Sequence, residues 1–171
     1  IELVTTIQLP VVATVRGWAA GLGCNLALAA DFTVAADDAV FWEPFMSRGF
    51  TPDTGSTWLL PRLVGLTRAK QMLLLGDKVS GAQAADWGLI HASAPESEVD
   101  GVSEKLLARV ASGPTVAFGL AKHCLHTNLH QDLPTSMVNE LYALELSTRT
   151  TDFKEGLAAF RERRDPDFTG R

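Results

Sequence analysis

The stretch GWAAGLGCNLALAAD, residues 17–31, sets three glycines in front of a helix-forming segment. Residues 9–16 (LPVVATVR) precede the glycines and are strand-like, whereas residues 25–30 (NLALAA) favour a helix. Glycine is costly inside a helix but useful where the backbone turns sharply or approaches another group closely. The pattern therefore predicts a strand, a glycine turn and a helix that begins near residue 22.

This glycine turn excludes two nucleotide-binding motifs. A dinucleotide fingerprint would need glycine at position 26, where the chain has Leu26, and no GK[ST] sequence follows. A helix N-terminus still leaves backbone amides unpaired and carries partial positive charge, so the amides of Leu22 and Gly23 could hold an oxyanion. Alternatively, the glycines only permit a tight turn and close packing.

Composition restricts the class of protein. The chain has 171 residues, a formal net charge of -5, 46% hydrophobic and 20% charged residues, which predicts one soluble globular domain. The acidic charge argues against a nucleic-acid partner, and the lack of an apolar stretch of about 20 residues argues against membrane insertion. Cys24 and Cys124 lie far apart without CxxC spacing, which favours a reducing cytoplasm.

The hydrophobic pattern divides the chain into an α/β part and a helical part. We expect residues 1–97 to form a core and residues 98–171 a helical region of the same domain. Strands are predicted near 11–16, 32–36, 39–42 and 89–93, and helices near 22–30, 55–64, 67–76, 81–87, 98–111, 115–129, 134–149 and 152–163. Ser80 with Gln83 and Asp152 with Glu155 match the capping-box spacing.

A second motif, FWEPFMSRGFTPDTGSTWLLPRLVG at residues 41–65, places the acid Asp53 after the aromatic residues Phe41, Trp42, Phe45 and Phe50. Desolvation beside apolar surface would raise the pKa of this acid and suit a general base. The sequence PDTG is equally typical of a helix N-cap, in which helix amides would lower the pKa instead. The residues alone leave both interpretations open.

Together with LLLGDKVSGAQAADWGLI (residues 73–90) and EGLAAFRERRDPDFTGR (residues 155–171), these motifs resemble the crotonase, or enoyl-CoA hydratase/isomerase, superfamily. The resemblance implies a ClpP/crotonase-like spiral of ββα units with a helical C-terminal trimerisation region. It also implies an acyl-CoA thioester substrate, whose coenzyme A is not a separate cofactor, no metal, and a homotrimer or a hexamer formed as a dimer of trimers.

The resemblance assigns a role to the glycine turn. One oxyanion-hole amide of the family falls at Leu22, with Gly23 next to it. The second amide comes from a segment upstream of this sequence, which opens at Ile1 rather than methionine. We therefore expect the sequence to be truncated or processed, with its N-terminal part missing. A chain truly lacking that donor should be severely impaired, since one donor is worth roughly 10²- to 10³-fold in rate.

The acids decide which reaction the resemblance implies. The two glutamates of the family's hydratases fall at Asn25 and Phe45, so both acids are absent. Hydration needs two acid–base groups, whereas one base can shift a double bond. The sequence is closer to the isomerase branch, which includes the epoxyphenylacetyl-CoA and Δ3,Δ2-enoyl-CoA isomerases. There the working carboxylate falls at Asp53, although Ser56 replaces the usual second glycine.

Other residues complete the predicted site. We expect Asn25, Trp42, Phe45 and Phe160 to bind substrate, Phe160 by lining the coenzyme A adenine pocket, with core packing as its alternative. Glu43 is the alternative acid to Asp53.

Two basic clusters have open alternatives. The arginines at 161, 163 and 164 suit either coenzyme A phosphates or a helix C-terminus. The histidines at 123, 126 and 130 are expected to form a surface helix end rather than a metal site. A weak hydratase and a non-catalytic acyl-CoA-binding or assembly protein remain the alternative functions.

Overall fold

The computed structural model describes all 171 residues. Its helices are α1 (Glu2–Thr6), α2 (Leu22–Leu28), α3 (Ser56–Lys70), α4 (Gly81–Asp86), α5 (Val99–Ala111), α6 (Thr115–Asn128), α7 (Leu133–Ser147) and α8 (Thr151–Glu162). The strands are β1 (Val12–Val15), β2 (Trp18–Ala20), β3 (Phe32–Ala36), β4 (Val40–Trp42), β5 (Val79–Ser80) and β6 (Ala92–Ala94). A 3₁₀ turn at Met46–Arg48 and a π turn at Gln71–Leu75 complete the elements.

The chain forms two compact units. The first comprises residues 1–5 and 11–106, and the second comprises residues 6–10 and 107–171. All six strands belong to the first unit. The division predicted between residues 97 and 98 stays a prediction.

The first unit contains two three-stranded sheets. One is parallel with strand order β1-β3-β6, and the other has the order β2-β4-β5, in which β5 is antiparallel to β4. The segments β1-β2-α2 and β3-β4-α3 each send their first strand to one sheet and their second strand to the other. This repeat is the expected ββα unit.

The core of the first unit fills the space around these sheets. It is lined by fully buried side chains that include Phe41, Leu60 and Met72. At Gly81 a Cβ atom would lie 1.9 Å from the carbonyl oxygen of Ala36, so only glycine allows α4 to start this close to β3.

Three predicted strands are confirmed, and the fourth lies slightly later in the chain. Strands β1, β3 and β4 fall inside the predicted ranges, whereas the strand predicted near 89–93 is β6 at Ala92–Ala94. Strands β2 and β5 were not predicted, because β2 lies inside the glycine turn and the two residues of β5 are too few to display an alternating pattern. The predicted helices at 55–64 and 67–76 form α3, which kinks at Gly65 (φ 72°, ψ 169°) and continues into the π turn.

The predicted cap at Ser80 is confirmed, whereas the one predicted at Asp152 is wrong. The amide of Gln83 donates to Ser80 Oγ at 3.1 Å, as expected for the start of α4. Helix α8 is instead capped by Thr150, whose Oγ1 accepts from the amide of Phe153 at 3.1 Å. Asp152 is buried, and its carboxylate accepts from the amides of Thr169 and Gly170 at 2.8 and 2.9 Å. This acid therefore anchors the C-terminal segment rather than a helix start.

The second unit is helical, as predicted for the C-terminal part of the chain. Helix α6 packs against α7, and an apolar groove of about 580 Å³ lies between them. Helix α7 has no buried residue, although much of its surface is apolar. No helix of the chain has both the length and the apolar character that a membrane span requires.

Candidate active site

The glycine turn leads directly into α2, which begins at Leu22 as predicted. Gly21 is the N-cap residue with φ 52° and ψ -117°, a conformation that a residue with a Cβ rarely adopts. Its amide donates to the carbonyl oxygen of Trp42 at 2.9 Å, which fastens the turn to the end of β4. No side chain caps α2, so the amides of Leu22 and Gly23 remain at an uncapped helix N-terminus.

Asn25 connects this helix to the turn that precedes α3. Its side chain is fully buried, and Nδ2 donates to Thr54 Oγ1 at 2.9 Å. Thr54 has φ 48°, which is strained for a β-branched residue. The hydrogen bond from Asn25 thus holds a strained turn next to Asp53, while Asn25 Oδ1 has no hydrogen-bond partner.

Asp53 fits neither of the two environments inferred from its sequence context. Its side chain is exposed, so the expected desolvation by the aromatic residues does not occur. It does not cap α3 either, because Gly55 is the N-cap and no side chain bonds to the first amides. The backbone carbonyl oxygen of Asp53 accepts from the amide and from Oγ of Ser56, both at 3.0 Å. Ser56 therefore fastens the turn, and the Asp53 carboxylate stays free.

Glu43, which belongs to the aromatic segment of the sequence, is the acid that is buried. It is fully buried beside the Cys24 thiol, and neither carboxylate oxygen has a hydrogen-bond partner. Burial raises the pKa of Glu43 from 4.5 to about 7; the nearby Cys24 thiol opposes this rise without forming a well-directed hydrogen bond, and the charge of Asp53 adds to it. Sequence analysis ranked Glu43 below Asp53 and missed this burial.

A signal for the burial of Glu43 was present in the alternation along β4. Phe41 is buried, Trp42 is partly exposed and Glu43 is buried again, which continues the period of two one residue past the strand. The same enclosure raises the pKa of the Cys24 thiol well above its ordinary value, first through burial and then through the charge of Glu43.

The aromatic residues near this cluster pack rather than line an open cleft. Phe45 is buried and contacts the ring of Phe50 edge-on, with 5.4 Å between the ring centroids. Trp42 donates from Nε1 to the carbonyl oxygen of Gly76 at 2.9 Å and meets the ring of Trp18 edge-on at 6.0 Å. Substrate binding by Trp42 and Phe45 stays a prediction.

The remaining predicted residues lie in the second unit. Phe160 on α8 is 84% exposed, so the core-packing alternative is wrong for this side chain. Arg164 pairs with Glu155 and Glu162, which raises the pKa of the guanidinium and lowers the pKa of Glu155 to about 2. The charge of Arg164 is thus paired within the chain. Binding of coenzyme A phosphates by this arginine, one of the two interpretations of the sequence, stays a prediction.

Residues that sequence analysis singled out separately meet in the first unit. The bond between Asn25 and Thr54 joins the start of α2, with the Leu22 and Gly23 amides, to the turn that carries Asp53. Glu43 lies close enough for the charge of Asp53 to act on it. An exposed carboxylate, a buried carboxyl group and an uncapped helix N-terminus are the components of proton transfer with stabilisation of an oxyanion.

Comparison with known proteins places this arrangement in a family. The family model for enoyl-CoA hydratase/isomerase matches residues 1–171. The chain is 40% identical over its whole length to a probable enoyl-CoA hydratase of Rhodobacter capsulatus, of which it covers 66%. It is 38% identical over 95% of its length to the 1,2-epoxyphenylacetyl-CoA isomerase of Escherichia coli, of which it covers 62%.

Solved structures agree with this assignment. The crystal structure of an enoyl-CoA hydratase from Bacillus anthracis superposes with a TM-score of 0.94 at 34% identity, over 99% of this chain and 66% of that one. The chain thus spans about two thirds of the length of the proteins that it matches, and it has their crotonase fold. Because the family model matches every residue, the chain belongs to the enoyl-CoA hydratase/isomerase family.

Proposed function

We propose that this chain carries the proton-transfer site of an acyl-CoA isomerase that moves a carbon–carbon double bond. The observation that supports this most directly is the state of Asp53, an exposed carboxylate that is not used as a helix cap. The hydrogen bond from Asn25 to Thr54 fixes the adjoining turn against α2, which suits a base that must meet a bound thioester.

In the proposed reaction, Asp53 removes a proton from C2 of a 3-enoyl-CoA. The electron pair of that C–H bond delocalises through the double bond and the thioester carbonyl, which gives a dienolate. The amides of Leu22 and Gly23 stabilise the negative charge on the thioester oxygen. Asp53 then returns the proton to C4, so the double bond moves from C3–C4 to C2–C3 and no other reactant is consumed.

The residues at the two hydratase positions favour isomerisation over hydration. Phe45 is a buried hydrocarbon side chain that cannot transfer a proton, and Asn25 does not titrate. The amide group of Asn25 is also engaged with Thr54. A weak hydratase is the second candidate, because the free Oδ1 of Asn25 could hold a water molecule that Asp53 activates.

The substrate test uses the intact protein with matched 3-enoyl-CoA and 2-enoyl-CoA thioesters. We expect conversion of the 3-enoyl thioester to its 2-enoyl isomer, with slow or no addition of water to crotonyl-CoA. Faster hydration of crotonyl-CoA than isomerisation would favour the hydratase. Calorimetric binding of both thioesters without turnover would favour a non-catalytic acyl-CoA-binding protein.

We also propose that the protein assembles as a homotrimer or as a hexamer formed by two trimers. Helix α7 supports this proposal, because it exposes a row of apolar side chains that would otherwise face water: Leu133, Met137, Val138, Leu141, Tyr142, Leu144 and Leu146. Many exposed apolar side chains on one helix are typical of a protein–protein interface.

A further inference from the structure

Three buried side-chain oxygens without a hydrogen-bond partner lie around the turn that carries Asp53. They are Asn25 Oδ1 and both carboxylate oxygens of Glu43. Asn25 donates a hydrogen bond to Thr54 in this turn. Glu43 lies close enough to the turn for the negative charge of Asp53 to raise its pKa. Buried polar atoms are normally paired, so unpartnered acceptors at a proposed active site call for an explanation.

The carboxyl group of Glu43 is held where a permanent charge would be costly. An ionised carboxylate that is buried without donors loses its hydration and gains no compensating bonds. The neutral acid avoids much of this cost, which is why burial raises the pKa of Glu43 to about 7. Glu43 therefore changes its charge within the physiological range of pH, unlike an ordinary glutamate.

Few charged groups face Glu43 from the elements that pack around it. Helix α2 presents the Cys24 thiol, whose own pKa is raised, and the turn before α3 presents Asp53. Next to β5, the Nζ atom of Lys78 lies over the rings of Trp18 and Trp42, at 5.0 and 5.1 Å from their centroids. Helix α4 carries one acid, at its last residue. Among these groups, Asp53 is the one whose negative charge acts on Glu43, in addition to the effects of burial and of the Cys24 thiol.

We propose that Glu43 is a positioning residue for the isomerase reaction, which acts by placing a buried, unpartnered carboxylate near the base Asp53. This inference rests on the proposed function. When Glu43 is ionised, it repels the negative charge of the Asp53 carboxylate, and the repulsion ends when Asp53 takes a proton from the substrate. Loss of the Glu43 proton should therefore accelerate proton abstraction by Asp53.

The test is the pH dependence of kcat between about pH 6 and pH 8.5, measured on the intact protein with a 3-enoyl-CoA. We expect kcat of the wild type to rise roughly three- to ten-fold through the ionisation of Glu43, with a midpoint near 7. The variant Glu43→Gln should lack this rise and keep an unchanged KM. The control Asp86→Asn, an exposed acid on α4, should keep the wild-type profile. A rise of equal size and midpoint in Glu43→Gln would overturn the proposal.

Two additional measurements keep the test decisive. If Glu43→Gln does not fold, carboxyl-carbon NMR of the wild type replaces it: a glutamate that titrates near 7 supports the proposal, and the absence of any glutamate that titrates near 7 overturns it. The variant Asp53→Asn distinguishes failure of the proposed function from failure of the proposed role of Glu43. Full activity of Asp53→Asn would reject the proposed function itself, whereas an inactive Asp53→Asn beside an unchanged Glu43→Gln profile would reject only the role of Glu43.

Discussion

The amide of Asn25 donates a 2.9 Å hydrogen bond to the hydroxyl of Thr54, which has a left-handed backbone. This bond joins the start of α2 to the turn before α3, the two segments from which the proposed active site is built. Asn25, at a position where the family resemblance predicts the glutamate of a hydratase, thus fixes backbone geometry. The proposed proton transfer depends instead on the residue next to Thr54, Asp53.

Replacing Asn25 with alanine tests this structural role. The change leaves the Thr54 hydroxyl unpaired and the strained turn unsupported, so we expect a loss of about 1–3 kcal/mol in the free energy of unfolding. Isomerase activity should fall as well, because the turn positions Asp53. Urea unfolding and steady-state kinetics measure the two effects.

Asn139→Ala is the matched control for this variant. Asn139 is only partly buried, and its side chain donates to Asn128 on the neighbouring helix, so its loss should cost less stability and no activity. Equal effects of the two substitutions would show that the bond between Asn25 and Thr54 has no special role.

The burial of Glu43 predicts a specific dependence of stability on pH. Its pKa is raised on folding, so its contribution to stability is fully present below pH 4.5 and is lost as pH rises to about 7. Across this window the unfolded chain ionises while the folded chain retains the proton. The full loss amounts to about 3 kcal/mol, since each pKa unit corresponds to about 1.4 kcal/mol.

Comparison of the wild type with Glu43→Gln isolates this contribution from those of other acids. The variant cannot ionise at position 43, so its free energy of unfolding, relative to the wild type, should be about 2–3 kcal/mol higher at pH 8 than at pH 5. Denaturant unfolding at both pH values measures the difference. A constant difference would mean that Glu43 has an ordinary pKa in the folded protein.

The apolar surface of α7 leads to a prediction about assembly. Leu141 is 62% exposed in the single chain, so Leu141→Asp should leave the folded chain intact. A charge at the centre of an apolar interface is costly, and we expect the variant to dissociate into smaller species in analytical ultracentrifugation. Glu140→Asp, which retains the charge on the same helix, should keep the assembly of the wild type. An unchanged mass for Leu141→Asp would exclude α7 from the interface.

The sequence was informative where a local pattern determines local structure. The glycine turn predicted the start of α2, and Ser80 with Gln83 predicted the cap of α4, because neighbouring residues decide both features. Long-range contacts were harder to predict. Asp152 has the spacing of a capping residue, yet it binds the amides of Thr169 and Gly170, which approach only in the folded chain.

The candidate site shows the same contrast between local patterns, which the sequence reveals, and long-range contacts, which it does not. The family resemblance predicted Asp53 as the acid of the site, but the exposure of Asp53 and the burial of Glu43 in the same aromatic segment were not predicted. Glu43 is buried beside Cys24 of α2, which lies 19 positions earlier in the chain, and composition carries no information about that proximity.

The most direct test of the account is the turnover of a 3-enoyl-CoA by the intact Asp53→Asn variant. Asparagine preserves the size of the side chain but cannot accept the proton, so we expect kcat to fall by about 10²- to 10⁴-fold, with the Kd for the thioester nearly unchanged. Turnover by Asp53→Asn at the wild-type rate would contradict the assignment of Asp53 as the base.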